Sequence, residues 1–143
     1  MFERVKRIFR HESKQVKPEF LGKNILTIDD DLSQRTMIQR TLEKSGLKVL
    51  TAEDGHLGIE IAQSQKPDLI LLDVIMPGLN GNEVCRRLKS DNRTKDIPVV
   101  FLTSMDTPKE VIEHYDAGGE IHLTKPINPK ELISQIEFTL GQK

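Results

Sequence analysis

Residues 69–78 read Leu-Ile-Leu-Leu-Asp-Val-Ile-Met-Pro-Gly, and no other stretch carries as much information about the fold. Four consecutive apolar residues are typical of a strand that is buried on both faces of a parallel sheet. The run ends in Asp73, and the proline and glycine that follow indicate a loop. A carboxylate where a buried strand surfaces adds little to packing. It is well placed to hold a reactive group at the open end of a parallel sheet.

Short apolar runs alternate with amphipathic stretches along the rest of the chain. Strands are predicted over 24–28, 48–52, 68–73, 97–102 and 120–123, and helices over 33–44, 55–65, 82–89, 108–117 and 129–140. Ser33 is the predicted N-cap of the first helix, and Gly46 the residue that ends it. This alternation implies right-handed crossovers, and therefore an α/β fold in which a five-stranded parallel sheet is covered on both faces.

The composition is that of one globular domain with an uneven distribution of charge. The chain has 143 residues, 36% hydrophobic and 30% charged, with a single cysteine, Cys85. Residues 1–23 hold seven Lys or Arg against three Glu, whereas residues 24–143 hold 14 basic and 19 acidic residues. We therefore divide the chain into a basic N-terminal arm, 1–23, and a domain, 24–143. Direct nucleic-acid binding is not expected, because basic residues in the domain are interleaved with acids.

The start of the arm has the pattern of a short basic amphipathic helix. Phe2, Val5, Ile8 and Phe9 fall on one helical face. Such a helix could contact anionic lipid, a groove on a partner or its own domain. A linker without a binding role explains the pattern equally well, since nine or ten residues are marginal as an isolated helix. The chain shows no secretory signal and no apolar run near the roughly 20 residues that span a bilayer, which indicates a cytoplasmic protein.

Polar residues follow four of the predicted strands, at the edge where a parallel sheet forms its sites. They are Asp29-Asp30-Asp31, Asp73, Thr103-Ser104 and Thr124-Lys125-Pro126. Several carboxylates close together repel one another and call for a cation. Oxygen ligands with room for water suit Mg²⁺. A carboxylate nucleophile, a divalent metal and a lysine are the parts that form and stabilise an aspartyl phosphate.

With these motifs in order, the chain resembles the receiver domain of two-component response regulators over about residues 24–143. The resemblance is carried by 25–31 (Ile-Leu-Thr-Ile-Asp-Asp-Asp), 71–78 (Leu-Leu-Asp-Val-Ile-Met-Pro-Gly), 101–104 (Phe-Leu-Thr-Ser) and 123–126 (Leu-Thr-Lys-Pro). It implies a flavodoxin-like, doubly wound sheet with strand order 2-1-3-4-5. It also implies a phosphorelay function, in which a histidine kinase or phosphotransfer protein donates the phosphoryl group. A stand-alone receiver would then signal to a downstream partner protein by conformational change.

The resemblance assigns a role to each strand-end residue. Asp73 would be the phosphoacceptor and a Mg²⁺ ligand, Asp30 a direct Mg²⁺ ligand and Asp29 a ligand through water. The backbone carbonyl of Ile75 would complete the protein ligands. The remaining roles implied are a switch hydroxyl at Thr103, a phosphoryl contact at Lys125 and a cis peptide between Lys125 and Pro126. Such a domain is not an enzyme on other substrates; it catalyses only its own phosphorylation and dephosphorylation.

Some positions depart from the pattern of the family or fall outside it. His122 stands where receivers usually have Tyr or Phe that turns inward on phosphorylation, so it is either a histidine without switching duty or a switch with added pH dependence. Ile75 and Met105 are apolar at positions that influence access of hydrolytic water, which predicts slow autodephosphorylation. Asp31 is predicted to be a helix N-terminal acid and Cys85 a buried helical residue.

Two other classes of protein share part of this constellation. An aspartate-nucleophile phosphatase also uses a strand-end acid with Mg²⁺ and lysine, but typically carries a second acid two residues later, where this chain has Ile75. A pure interaction scaffold of the same fold would be expected to have lost the acidic pair or the lysine.

Overall fold

The computed structural model describes residues 15–104, 108–119 and 121–142 of the chain. The five strands are β1 (Asn24–Ile28), β2 (Lys48–Ala52), β3 (Leu69–Asp73), β4 (Val99–Thr103) and β5 (Ile121–Thr124). The helices of the described part are α1 (Leu32–Lys44), α2 (Gly55–Gln65), α3 (Gly81–Lys89), α4 (Pro108–Asp116) and α5 (Pro129–Gly141), with a short 3₁₀ helix, Pro18–Phe20, before β1. The predicted alternation of strands and helices is confirmed.

The strands form one parallel sheet in the order β2-β1-β3-β4-β5. Every residue of β3 and β4 is buried, as their apolar runs predict. Asp73 pairs with Leu102 across β3 and β4, and Thr103 pairs with Thr124 across β4 and β5. The register therefore brings the polar ends of these strands to the same edge of the sheet.

Each face of the sheet carries its own apolar core, because side chains of buried parallel strands alternate between two layers of helix. One core joins inward residues of α1 and α5, such as Ile38, Leu42 and Leu132, to the sheet. The other joins residues of α2 and α3, among them Ala62, Val84 and Cys85. The predicted burial of Cys85 is confirmed.

Several predicted element boundaries differ from the observed ones by one or two residues, and two of these differences have a clear local reason. The N-cap of α1 is Asp31 rather than Ser33, because the Asp31 carboxylate accepts hydrogen bonds from the backbone N–H groups of Ser33 and Gln34 at 2.9 and 3.3 Å. Asp31 is thus the helix N-terminal acid that the sequence predicts. β4 begins at Val99 rather than at residue 97, since the Ile97 N–H closes a turn with the Thr94 carbonyl at 3.0 Å.

The segment before β1 packs on the core at the amino-terminal edge of the sheet. Val16 and Phe20 are only 4% and 7% exposed and lie in the core between α1 and α5. The Val16 N–H donates to the Ser45 carbonyl at 2.9 Å, and the Lys17 N–H donates to the Glu137 carboxylate at 3.0 Å. The amphipathic helix predicted near residues 2–9 lies outside the described residues. Within the described part, no helix is both long and apolar enough to cross a bilayer.

Candidate functional site

Three carboxylates meet at the carboxyl edge of the sheet, as the strand-end residues predict. Asp29 and Asp30 follow β1, Asp73 ends the neighbouring β3, and one oxygen from each lies within 4.8 Å of the others. Asp29 is fully buried and Asp73 is 5% exposed, whereas Asp30 is exposed to solvent. Two carboxylates of the cluster are therefore buried, and the third is accessible to solvent.

The two oxygens of Asp29 differ in their surroundings. Oδ1 accepts a hydrogen bond from the Asp31 N–H at 2.9 Å, whereas Oδ2 is buried without a hydrogen-bond partner. Burial raises the pKa of Asp29 to about 6, and the charges of Asp73 and Asp30 act in the same direction. The Asp31 N–H and Lys125 partly oppose this rise in pKa. The negative charge of Asp29 is thus only partly compensated within the protein.

Lys125 supplies positive charge to one member of the cluster. Its Nζ lies 3.1 Å from Asp73 Oδ1, and both side chains are largely buried. The Lys125–Pro126 peptide bond is cis. The Lys125 N–H donates to the Thr103 carbonyl at 2.8 Å, which ties the lysine to the end of β4. Thr103 itself is 1% exposed and follows Leu102, the β4 residue that pairs with Asp73.

The donor set fits a hard divalent cation. Three formal negative charges lie near one lysine, and Oδ2 of Asp29 is a buried acceptor without a hydrogen-bond partner. Carboxylate oxygens of this kind, with one acid open to water, suit Mg²⁺, which keeps several water ligands. The side chain of Ile75, two residues after Asp73, is 54% exposed, and the role of its carbonyl as a ligand stays a prediction.

Gly81 is a residue of the site that sequence reasoning missed. Its N–H donates to the Val74 carbonyl at 2.9 Å. A Cβ at this position would come within 2.8 Å of the Val74 Cα and would also meet the carbonyl oxygen of Asp73. The start of α3 can therefore approach the backbone of the central acid only with glycine at this position. The available signal was a glycine at the first position of a helix, where a side chain is otherwise well tolerated.

His122 is half-buried on β5 and contacts a second histidine that sequence reasoning also missed. Its ring lies edge-on to that of His114, with centroids 5.9 Å apart. His114, on α4, is 3% exposed, stacks on Phe101 at 4.6 Å, and places Nδ1 3.1 Å from the Asn82 Oδ1. Burial and the neighbouring His122 lower the pKa of His114. Gly119 leaves space for the Phe101 ring, since a Cβ there would lie 2.6 Å from Phe101 Cδ2.

Arg35 on α1 is a further neighbour of the acids that the motifs did not single out. Its Nη1 donates to the Asp29 carbonyl at 2.7 Å. Met105, the other residue predicted to control hydrolysis, lies outside the described residues. The structure thus brings Asp29, Asp30, Asp73 and Lys125 into direct proximity, with Thr103 at the adjoining strand end.

Comparison with known proteins identifies the family of the chain. The model of the response regulator receiver domain family matches residues 25–137. The transcriptional regulatory protein PhoB of the phosphate regulon of Pseudomonas aeruginosa is 39% identical over 120 residues, which are 84% of this chain and 52% of PhoB. Protein PilH of the same species is 37% identical over 117 residues, 82% of this chain and 97% of PilH. The chemotaxis protein CheY4 of Vibrio cholerae superimposes with a TM-score of 0.79 at 32% identity, covering 82% of this chain and 98% of CheY4.

The chain belongs to the response regulator receiver domain family. It is a regulatory domain of two-component phosphorelay signalling, and the receiver fold predicted from the sequence is confirmed. Receiver domains interact with histidine kinases or phosphotransfer proteins and with downstream effectors, and they bind Mg²⁺ at an acidic pocket such as the one described above. The chain spans about half the length of several curated relatives, including PhoB, and nearly all of PilH.

Proposed function

We propose that Asp73 accepts a phosphoryl group from a phosphohistidine of a sensor histidine kinase or phosphotransfer protein. The contact between Lys125 Nζ and Asp73 Oδ1, 3.1 Å long and set within a cluster of three carboxylates, carries this proposal. A carboxylate held beside a cation, with further acids for a metal, has the equipment of a nucleophile toward phosphorus.

In the transfer, a carboxylate oxygen of Asp73 forms a bond to phosphorus, and the bond between phosphorus and the donor imidazole nitrogen breaks. That nitrogen keeps the electron pair, and the imidazole takes up one proton from solvent and leaves as the neutral ring. Lys125 neutralises negative charge beside Asp73, and the hydroxyl of Thr103 donates to a phosphoryl oxygen. Positioning and charge neutralisation account for most of the catalysis of phosphoryl transfer, so these residues catalyse the domain's own phosphorylation and, with water, its dephosphorylation.

Asp30 would hold Mg²⁺ directly and Asp29 through water, with Asp73 and the Ile75 carbonyl as the remaining protein ligands. The ion supplies neutralisation of the phosphoryl oxygens when it is bound. The buried, unpartnered Oδ2 of Asp29 supports this assignment, because a charged acceptor without a partner is costly unless a cation or its water faces it. We also propose slow hydrolysis of the aspartyl phosphate, because the apolar Ile75 side chain, two residues after Asp73, offers no group to orient water.

Phosphorylation adds roughly −1.5 to −2 charge at this edge of the sheet. We propose that Thr103 and His122 pass the change to a partner protein through the surface of α4, β5 and α5. The continuous ring contacts of Phe101, His114 and His122 support this route, because they join the end region of β4 to α4 and β5. Capture with beryllofluoride-activated protein would identify the downstream partner.

Incubation with acetyl phosphate and Mg²⁺, followed by intact mass measurement, tests the proposal. A stable gain of one phosphoryl group is expected, abolished in Asp73→Asn and retained in Asp96→Asn, which changes an exposed acid without a role in the site. Rapid release of phosphate without an adduct would instead indicate a phosphatase. Absence of both adduct and turnover would indicate a scaffold and refute the proposal.

A further inference from the structure

The turn that carries the acid pair is held from several sides. The Asp29 N–H donates to the Ala52 carbonyl on β2 at 3.1 Å, and the Asp31 N–H donates to Asp29 Oδ1 at 2.9 Å. Arg35, one turn into α1, makes two of the contacts. Its own N–H donates to the Asp31 carbonyl at 2.9 Å, and its guanidinium Nη1 donates to the Asp29 carbonyl at 2.7 Å.

The guanidinium contact falls on the peptide unit that joins Asp29 to Asp30. A peptide unit is planar, so its carbonyl oxygen, nitrogen and two flanking Cα atoms move together. A donor that holds the carbonyl oxygen therefore fixes the direction in which both acids leave the backbone. The bond is short and charge-assisted, which places it among the stronger hydrogen bonds of proteins.

Arg35 achieves this without occupying the carboxylates. Among the described residues, the acid cluster forms an ion pair between Asp73 and Lys125. In the same part of the chain, the Arg35 guanidinium forms no ion pair with any of the three acids and instead binds the Asp29 carbonyl. Had it formed an ion pair with Asp29 or Asp30, it would compete with a metal for the same oxygens. By binding the main-chain carbonyl, it holds the ligands in place and leaves their charge available.

We infer that Arg35 is a positioning residue for divalent-cation binding by Asp29 and Asp30. The inference rests on the proposed function, because it concerns the metal that assists phosphorylation of Asp73. Residues that orient metal ligands without touching the metal typically contribute about 10- to 100-fold to the affinity for the metal. Since Mg²⁺ retains much of its water shell, we expect the lower end, about a tenfold loss in Arg35→Ala. Arg35→Lys keeps a donor but loses the planar guanidinium, so its loss should be smaller.

The experiment is a titration of the metal-free full chain with MgCl₂, followed by ¹H–¹⁵N amide shifts, which report affinity without any turnover. Wild type, Arg35→Ala, Arg35→Lys and Arg40→Ala are compared; Arg40 is an exposed arginine of the same helix and serves as the matched control. We expect about tenfold weaker Mg²⁺ binding in Arg35→Ala, an intermediate loss in Arg35→Lys and no change in Arg40→Ala. Raising Mg²⁺ by the same factor should restore phosphorylation of Arg35→Ala by acetyl phosphate.

The outcomes separate the two proposals. If wild type binds Mg²⁺ and Arg35→Ala binds it within about twofold, the positioning role is refuted while the proposed function stands. If wild type itself does not bind Mg²⁺, the proposed function fails and the positioning role with it. If Arg35→Ala does not fold, the test rests on Arg35→Lys. A Mg²⁺ affinity of Arg35→Lys equal to that of wild type and of Arg40→Ala would contradict the positioning role of the planar guanidinium.

Discussion

Replacement of Asp29 by asparagine should stabilise the metal-free protein. The side chain is fully buried, its Oδ2 has no hydrogen-bond partner, and Asp73 and Asp30 place further negative charge beside it. Asparagine has nearly the same shape and keeps an oxygen to accept from the Asp31 N–H. Its amide is neutral and can donate a hydrogen bond, whereas the Asp29 carboxylate is repelled by Asp73 and Asp30. The substitution therefore removes a buried charge at little cost in packing.

The magnitude follows from the pKa of Asp29, which rises from 3.8 to about 6 on folding. Each pKa unit corresponds to about 1.4 kcal/mol, so ionised Asp29 lowers the unfolding free energy by up to about 3 kcal/mol. Because the folded-state pKa is the higher one, the folded protein binds this proton more tightly than the unfolded chain. The penalty is absent below about pH 4, grows as pH rises from 4 to 6, and is complete above about pH 6.

Urea unfolding in EDTA, at pH 7.5 and pH 4, measures this effect. Asp29→Asn should gain about 1–3 kcal/mol at pH 7.5 and little at pH 4. Asp91→Asn is the matched control, because the pKa of Asp91 is shifted in the opposite direction. Arg93 lowers it to about 2, so neutralising Asp91 should not stabilise the protein. Mg²⁺ should then stabilise wild type more than Asp29→Asn. Equal or lower stability of Asp29→Asn at pH 7.5, with its fold intact, would refute the electrostatic reasoning.

Three further substitutions test the fold by denaturant unfolding. Phe20→Ala should lower the unfolding free energy by about 3 kcal/mol, because the ring is 93% buried in the core between α1 and α5. Gly81→Ala should cost about 1–3 kcal/mol and slow phosphorylation of Asp73, because the added methyl group would lie 2.8 Å from the Val74 Cα. Lys66→Gly should raise the unfolding free energy by up to about 1 kcal/mol, because Lys66 has a φ of +46° at the end of α2.

Each of these predictions has a control in the chain. Leu21→Ala, beside Phe20 but 54% exposed, should have little effect, and an equal loss in both variants would contradict a core role for residues 15–23. Gly141→Ala should be tolerated, because the nearest side-chain atom to its added methyl group is Phe20 Cζ at 3.9 Å. Lys66→Ala should not stabilise, because alanine also carries a Cβ; a gain equal to that of Lys66→Gly would exclude backbone strain as the cause.

Order and type of the secondary structure elements followed from the sequence, because hydrophobic periodicity is a local property of the chain. The apolar runs around Ile70 and Val100 had to be buried strands, and parallel connections then placed their polar ends on one edge of the sheet. The sequence alone therefore predicts that Asp29, Asp73 and Lys125 lie close together. The boundary errors at Ser33 and Ile97 arose from one or two local hydrogen bonds, which hydrophobic periodicity does not reveal.

Contacts between residues distant in sequence were decided only by the tertiary structure. The packing of Phe20 on α5 depends on a surface more than 100 residues away, and the short segment around it has no periodicity of its own. The stack of His114 on Phe101 likewise needs the approach of α4 to β4. The bond from Arg35 to the Asp29 carbonyl depends on a backbone direction that residue types do not specify. Local patterns thus established which groups reach the site edge, whereas three-dimensional packing established what holds those groups in place.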